Sequence, residues 1–124
     1  MEIISTDKAP KAVGPYSQAI KVGGFLFASG QIAINPESGE IVKGGVEAQI
    51  EQVLRNISGV LEAAGATKYN VVKTTIFLKD IRHYQTINEI YGNFFGDHKP
   101  ARSTVEVARL PLDVLVEIEV IAQM

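Results

Sequence analysis

Two stretches of the chain carry apolar residues at helical spacing. In "GGVEAQIEQVLRNISGVLEAAGA", Val46, Ile50, Val53, Leu54, Ile57, Val60, Leu61 and Ala64 form one stripe, with Glu47, Glu51, Gln52 and Arg55 on the other side. Gly65 supplies the stop, because helices commonly end on a left-handed residue that glycine adopts without strain. "DIRHYQTINEIYGNFFGD" repeats the pattern through Ile81, Tyr84, Ile87, Tyr91, Phe94 and Phe95. Asp80 is its expected N-cap and Gly96 its expected end. Both stripes predict helices packed on a sheet.

The remaining segments alternate with period two. "GGFLFASGQIAI" and "GEIVKGG" flank the turn residues "NPESG" and are expected to form a hairpin. "NVVKTTIFLKD" reads as a further strand. "ARSTVEV" and "DVLVEIEVIAQ" flank "ARLPLD" and read as a closing hairpin. The order strands, helix, strand, helix, strands predicts an α+β layer with both helices on one face of the sheet. Val114, Val116, Ile118 and Val120 alternate with Leu115, Glu117, Glu119 and Ile121, so the second face is half apolar. Such a face usually packs against another subunit, which predicts an oligomer.

Composition narrows the function classes. A chain of 124 residues is of single-domain size, and one domain over 1–124 is expected. With 46% hydrophobic and 21% charged residues it can bury a core and is not a disordered segment. The 12 basic and 14 acidic side chains give a net charge of -2, against a nucleic-acid scaffold that must neutralise phosphates. Lys8 and Lys11 lie close together but without interleaved aromatics, and read as solvated. Cysteine is absent, which removes disulfides and thiolate chemistry. His83 and His98 lie fifteen positions apart, so no metal site is expected. "MEIISTDKAP" lacks the pattern of a secretion signal, and no apolar run approaches the roughly 18 residues of a membrane span. A soluble, cytosolic protein is expected.

The residues that could carry chemistry cluster near the end of the chain. If the last two strands form a hairpin turning between Leu110 and Pro111, Arg102 opposes Glu119 and Thr104 opposes Glu117. This register groups polar with polar side chains and is the expected one. Arg102 and Glu117 then form either a solvated ion pair of about 0–1 kcal/mol, or a fork for a substrate carboxylate beside an acid that positions water. In "SGQ", Gly30 marks either an ordinary bulge or a close approach to the backbone, where Ser29 and the Gly30 amide could donate to an anion or carbonyl. Tyr16 in "GPYSQ" is either packing or a lid. Asn88 shares a helical face with Tyr84 and Tyr91, as a buried polar bridge or a site contact.

Taken together, "GPYSQA", "FASGQI", "VVKTTIFLKD", "NEIYGNFF" and above all "PARSTVEVARLPLDVLVEIEV" resemble the RidA/YjgF family of reactive intermediate deaminases over nearly the whole chain. The resemblance implies a chorismate-mutase-like α+β fold, assembled as a homotrimer with clefts between subunits. It implies hydrolysis of 2-imino acids or their enamine tautomers, such as 2-iminobutanoate and 2-iminopropanoate, to 2-oxo acids and ammonia. It further implies a functional link to the pyridoxal-phosphate dehydratases that release such imines, and no cofactor or metal of its own. Residue by residue, Arg102 matches the carboxylate-binding arginine and Glu117 the water-orienting acid, while Tyr16, Ser29, Gly30 and Asn88 match the cleft lining. Thr104 replaces a frequent cysteine, keeping a hydroxyl donor but losing any thiol chemistry. "GDHKPARS" is shorter than in some relatives, at the cleft rim. Two other readings accompany this one: a small-carboxylate-binding regulatory module, and a ribonuclease or translation inhibitor, which the acidic balance and unpaired histidines disfavour.

Overall fold

In the computed structural model, which describes residues 1–124, eight main elements follow one another: β1 (Glu2–Ile4), β2 (Ala19–Val22), β3 (Phe25–Ala28), α1 (Gly45–Ala63), β4 (Val71–Leu78), α2 (Tyr84–Phe95), β5 (Ala101–Glu106) and β6 (Val116–Gln123). The strands form one sheet in the order β1-β2-β3-β6-β4-β5, with α1 and α2 packed on one face. Leu26, Ile76, Leu78, Val116 and Ile118 point from the sheet into a core closed by Ile50, Val53, Ile57, Val60 and Leu61 of α1 and by Ile87, Tyr91 and Phe95 of α2. Both expected helices form, on the expected stripes. Asp80 caps as expected, accepting from the Arg82 amide, although the first turn it caps is a 3-10 turn ahead of α2. Ile81 and Tyr84 stay exposed.

The closing hairpin does not form. β5 pairs in parallel with β4, and β4 pairs antiparallel with β6, so β4 lies between the two strands expected to be partners. The cause is α2: a helix between two strands returns the chain to the starting end, which makes a parallel neighbour. β6, apolar on its helix-facing side, takes the central place. β5 is left at the edge, with Ala101, Ser103 and Val105 exposed. The register then splits the four candidate residues. Arg102 and Thr104 align with Thr74 and Ile76, which face the helices, whereas Glu117 and Glu119 align with Phe77 and Thr75 on the other face. The expected grouping of all four on one face is therefore wrong.

The first hairpin survives only as a turn. Asn35 and Glu40 close it, and Ile34 and Ile41 make a single bridge. β3 stops at Ala28, and the chain rejoins the sheet at Gln31, which exchanges both backbone bonds with Ile118. Phe27 pairs with Ile121, so four steps along this strand, from 27 to 31, meet three on β6, from 121 to 118. The extra residue is a bulge, centred on Ser29 and Gly30.

Buried amides hold these irregular segments. Asn56, fully buried in α1, donates to the carbonyls of Ile32 and Ile34 at 3.0 and 2.9 Å and accepts from Gln52 at 2.8 Å. Gln52 was expected on the solvent side and is instead buried in this bridge. Gln49 accepts from the Leu115 amide at 2.8 Å, fixing the approach to β6. Replacing Asn56 by Ala strands the part-buried Ile34 carbonyl and the Gln52 amide, while the Ile32 carbonyl keeps its bond from the Ile34 amide. Asn56→Ala should cost about 2–3 kcal/mol, read as a lower urea midpoint at unchanged slope.

Candidate functional site

A cleft of about 620 Å³ opens where the N-terminal loop, the bulge after β3 and the loop before β6 meet. Glu117 reaches it from β6, and Tyr16, Ser29 and Gly30 line it. Gly30 is required here by close approach, because a Cβ at this position would collide with the Glu117 carboxylate. Gly30 lies in a bulge, and the Glu117 side chain passes directly over it. Its amide donates to no backbone carbonyl, in contrast to the neighbouring amides of Ser29 and Gln31. Burial, and then the charge of Glu119, push the Glu117 carboxyl above the ordinary range.

The N-terminal loop is tied down by Gln18, which accepts from the Thr6 amide at 2.7 Å and donates to the carbonyls of Thr6, Ala9 and Pro10. Ser29 donates its hydroxyl to the Ser17 carbonyl at 2.6 Å, so its hydroxyl stitches loop to strand instead of standing free in the cleft. Tyr16 is half exposed, with its hydroxyl accepting from the Val13 amide at 3.4 Å. Gln18 escaped the sequence reading, since a polar residue in "GPYSQA" carries no periodic signal of burial.

Arg102 lies elsewhere. It projects from edge strand β5 onto α2, where its Nη2 donates to Asn88 Oδ1 at 2.7 Å and to the Tyr84 hydroxyl at 3.1 Å. The guanidinium stands 4.9 Å from the Tyr91 ring centre and 5.6 Å from that of Tyr84. It makes no ion pair: the three salt bridges are Lys8–Glu62, Lys79–Asp113 and Arg82–Asp80. The Asn88 side chain, and then Arg102, hold the Tyr84 hydroxyl below the ordinary phenol range. Tyr91 is raised by burial, against its 2.7 Å bond with Thr74 and the nearby Arg102 charge. Asn88, half-buried, makes a polar bridge to Arg102. Tyr84 and Tyr91 were taken only as core positions, though their spacing of -4 and +3 from Asn88 was the available signal.

Thr104 shares the helix-facing side of β5 with Arg102, and its Oγ1 is buried without a hydrogen-bond partner. The seven candidates therefore fall into two separate groups. Tyr16, Ser29, Gly30 and Glu117 gather at the cleft, while Arg102, Asn88 and Thr104 sit at the β5–α2 edge. The first group offers a carboxyl group and a free amide. The second offers a fixed cation whose Nε and Nη1 make no bond to the protein, while both protons of Nη2 are engaged by Asn88 and Tyr84. No three His, Asp or Glu side chains gather in a way that could hold a metal ion, and no helix is long and apolar enough to cross a membrane.

The profile of the endoribonuclease L-PSP family matches residues 6–124. A RutC family protein of Pyrococcus abyssi is 57% identical over 121 residues, covering 98% of this chain and 95% of its own. Reactive Intermediate Deaminase A of Arabidopsis thaliana, chloroplastic, is 52% identical, over 98% of this chain and 65% of its own length. The crystal structure of E. coli TdcF with bound serine superposes with a TM-score of 0.95 at 43% identity, covering 100% of this chain and 99% of that one. With a family profile over nearly its full length and relatives above half identity, the chain belongs to the endoribonuclease L-PSP family, that of the RutC and YjgF/RidA proteins.

Proposed function

We propose that this chain is a hydrolytic deaminase of reactive 2-imino acids, including 2-iminobutanoate and 2-iminopropanoate, working as a homotrimer whose clefts join two subunits. The observation that carries this reading is the unpaired guanidinium of Arg102, held only by neutral groups at an edge of the sheet. Within one chain it stands on the opposite sheet face from Glu117, so a complete site needs Arg102 of the partner subunit beside the cleft. The helix-free face supports association, because Phe25, Phe27 and Val105 lie on it with 40%, 47% and 43% of their surfaces exposed. Two relatives favour the chemistry: the Arabidopsis protein carries the deaminase name, and TdcF holds serine, which has a carboxylate and an amine on one carbon.

The mechanism follows from these groups. The partner subunit's Arg102 grips the substrate carboxylate, in a bidentate fork once Nη2 exchanges its longer bond to Tyr84 for the ligand, and fixes the C=N carbon between the Gly30 amide and the partner subunit's Thr104. Ionised Glu117 accepts a proton from water as the oxygen adds to that carbon of the protonated imine (iminium), and then gives the proton to the amino nitrogen of the carbinolamine. Glu117 next takes the hydroxyl proton as the C–N bond breaks, leaving a 2-oxo acid and ammonia, which carries off the last proton as ammonium. An imine is already electrophilic, so orientation and modest proton transfer suffice. A raised carboxyl is suited to the task, being a stronger base near neutral pH. Substrate would come from pyridoxal-phosphate dehydratases, which release enamines and imines.

The direct test couples such a dehydratase to chemical trapping of free imine. Addition of this protein should shorten the imine lifetime, and an unchanged lifetime would refute the deaminase reading. Arg102→Ala should raise KM by about 100-fold or more, with little rescue by Lys, which lacks the fork. Glu117→Gln should lower kcat by about 10²–10⁴-fold while leaving 2-oxobutanoate affinity nearly unchanged. A pure binding module would have no turnover to lose.

Sharing of the site between subunits is separately testable. In mixed oligomers refolded from equal amounts of the Arg102→Ala and Glu117→Gln chains, about one quarter of the sites should regain both groups. Sites confined to one chain would regain none.

The raised Glu117 carboxyl also links stability to pH. Its proton is held more tightly folded than unfolded, so wild-type stability falls as pH rises from the ordinary glutamate value through the raised one. Glu117→Gln should therefore melt at a higher temperature than wild type at pH 7, with the difference vanishing at pH values below the ordinary glutamate range.

A further inference from the structure

Leu112 and Asp113 are the two residues other than glycine with positive φ, at 55° and 57°. They are consecutive, in the loop before β6. For a branched side chain such as leucine this left-handed conformation is unfavourable, while Asn and Gly tolerate it readily. The loop is nevertheless held: Pro111 precedes it, the Asp113 amide bonds to the Leu110 carbonyl at 3.0 Å, and Asp113 pairs with Lys79 at 2.9 Å. The strain brings no burial in return. Leu112 is 72% exposed, at the rim of the cleft that contains Gly30 and Glu117. Backbone strain that displays an apolar side chain beside reacting groups calls for an explanation in function, because packing gives none.

The rest of the rim has the same character. Val13 is 89% exposed and Tyr16 52%, both from the N-terminal loop, and Ile32 and Ile34 continue the apolar lining inward. Lys11, Gln31 and Glu119 share the cleft with Gly30 and Glu117, while the polar atoms of Gln18 and Ser29 are engaged by backbone carbonyls.

We infer that Leu112, with Val13 and Tyr16, is a specificity element that selects 2-imino acids with long or branched apolar side chains over those bearing a methyl group. The inference rests on the deaminase reading of the same site and names its preferred substrate class. In the bound substrate the carboxylate turns to the arginine and the C=N carbon to Glu117. The side chain is left to the rim, where burial against Leu112 rewards each added carbon. An apolar pocket discriminates by roughly 10–200-fold per methylene, which sets the scale of the effect.

The test measures kcat/KM for imines generated in place by a flavin amino-acid oxidase from alanine, leucine and phenylalanine, with wild type, Leu112→Asn and Leu112→Met. In parallel, calorimetry measures binding of pyruvate and 4-methyl-2-oxopentanoate. Wild type should favour the leucine-derived imine over the alanine-derived one by about tenfold or more. Leu112→Asn, which suits the left-handed backbone and should fold at least as well, should lower that ratio about tenfold. Leu112→Met should keep it within about threefold, since the apolar contact survives. If Leu112 served only the loop conformation, Asn would preserve the ratio, and the inference would be overturned. Equal turnover of all imines by wild type would overturn it as well, while leaving the deaminase proposal standing. Preferential, Leu112-dependent binding of 4-methyl-2-oxopentanoate without any turnover would uphold the rim and reject the deaminase. With neither turnover nor binding, both would fall.

Discussion

A guanidinium without a counter-charge is the constraint around which this protein is organised. Arg102 is held by an amide oxygen, a phenol oxygen and two aromatic faces, none of which neutralises it. Cation–ring contacts of this kind contribute on the order of 0.5–2 kcal/mol each. They fix the direction of the fork while leaving its charge available. A carboxylate partner in the same place would have formed a self-satisfied ion pair with little left for a ligand. With Asn88 and Tyr84 as neighbours, both offering neutral acceptor oxygens, the guanidinium keeps its net charge, as the proposed anion site requires.

The opposing half depends on a different physical device, which is irregular backbone held by buried amides. A bulge cannot bond fully to its neighbouring strand, so its carbonyls need other donors. Asn56 supplies them from α1 for Ile32 and Ile34, and Gln18 does the same for the loop that carries Tyr16. These amides lie within an otherwise apolar core, where a lost partner is expensive. The cleft is thereby tied to α1, and Glu117 can lie against the Gly30 backbone without a Cβ in the way.

The two faces of the sheet divide the work. One is filled by α1 and α2 and accounts for the core. The other carries Phe25, Phe27, Ile121, Phe77 and Val105 interleaved with Lys73, Thr75, Glu117 and Glu119. Apolar surface of this extent on a sheet is unusual in a lone chain and is suited to association. Because β5 is an edge strand and Glu117 lies on the helix-free face, the association and the shared site proposed above would draw on the same surface.

The helices were legible because each stripe is determined locally: Val46 through Ala64 and Ile87 through Phe95 meet the 3.6-residue period with nothing else required. β4, β5 and β6 were legible as strands for the same reason, from alternation alone. The short strands β1 and β2 were missed, since three or four residues give too little alternation to recognise. The identities of Arg102, Glu117, Gly30 and Asn88 could be read from motif and residue type. Their arrangement could not. Strand partners are a non-local choice, and a one-residue change of register, or a partner change, moves a side chain to the other face. The sequence by itself determined which residues carry charge, hydroxyl or ring, and which segments coil or extend. Only the tertiary structure decided that β4 stands between β5 and β6, because that depends on how α2 packs across the sheet, and so put the cation and the acid on opposite faces of one chain.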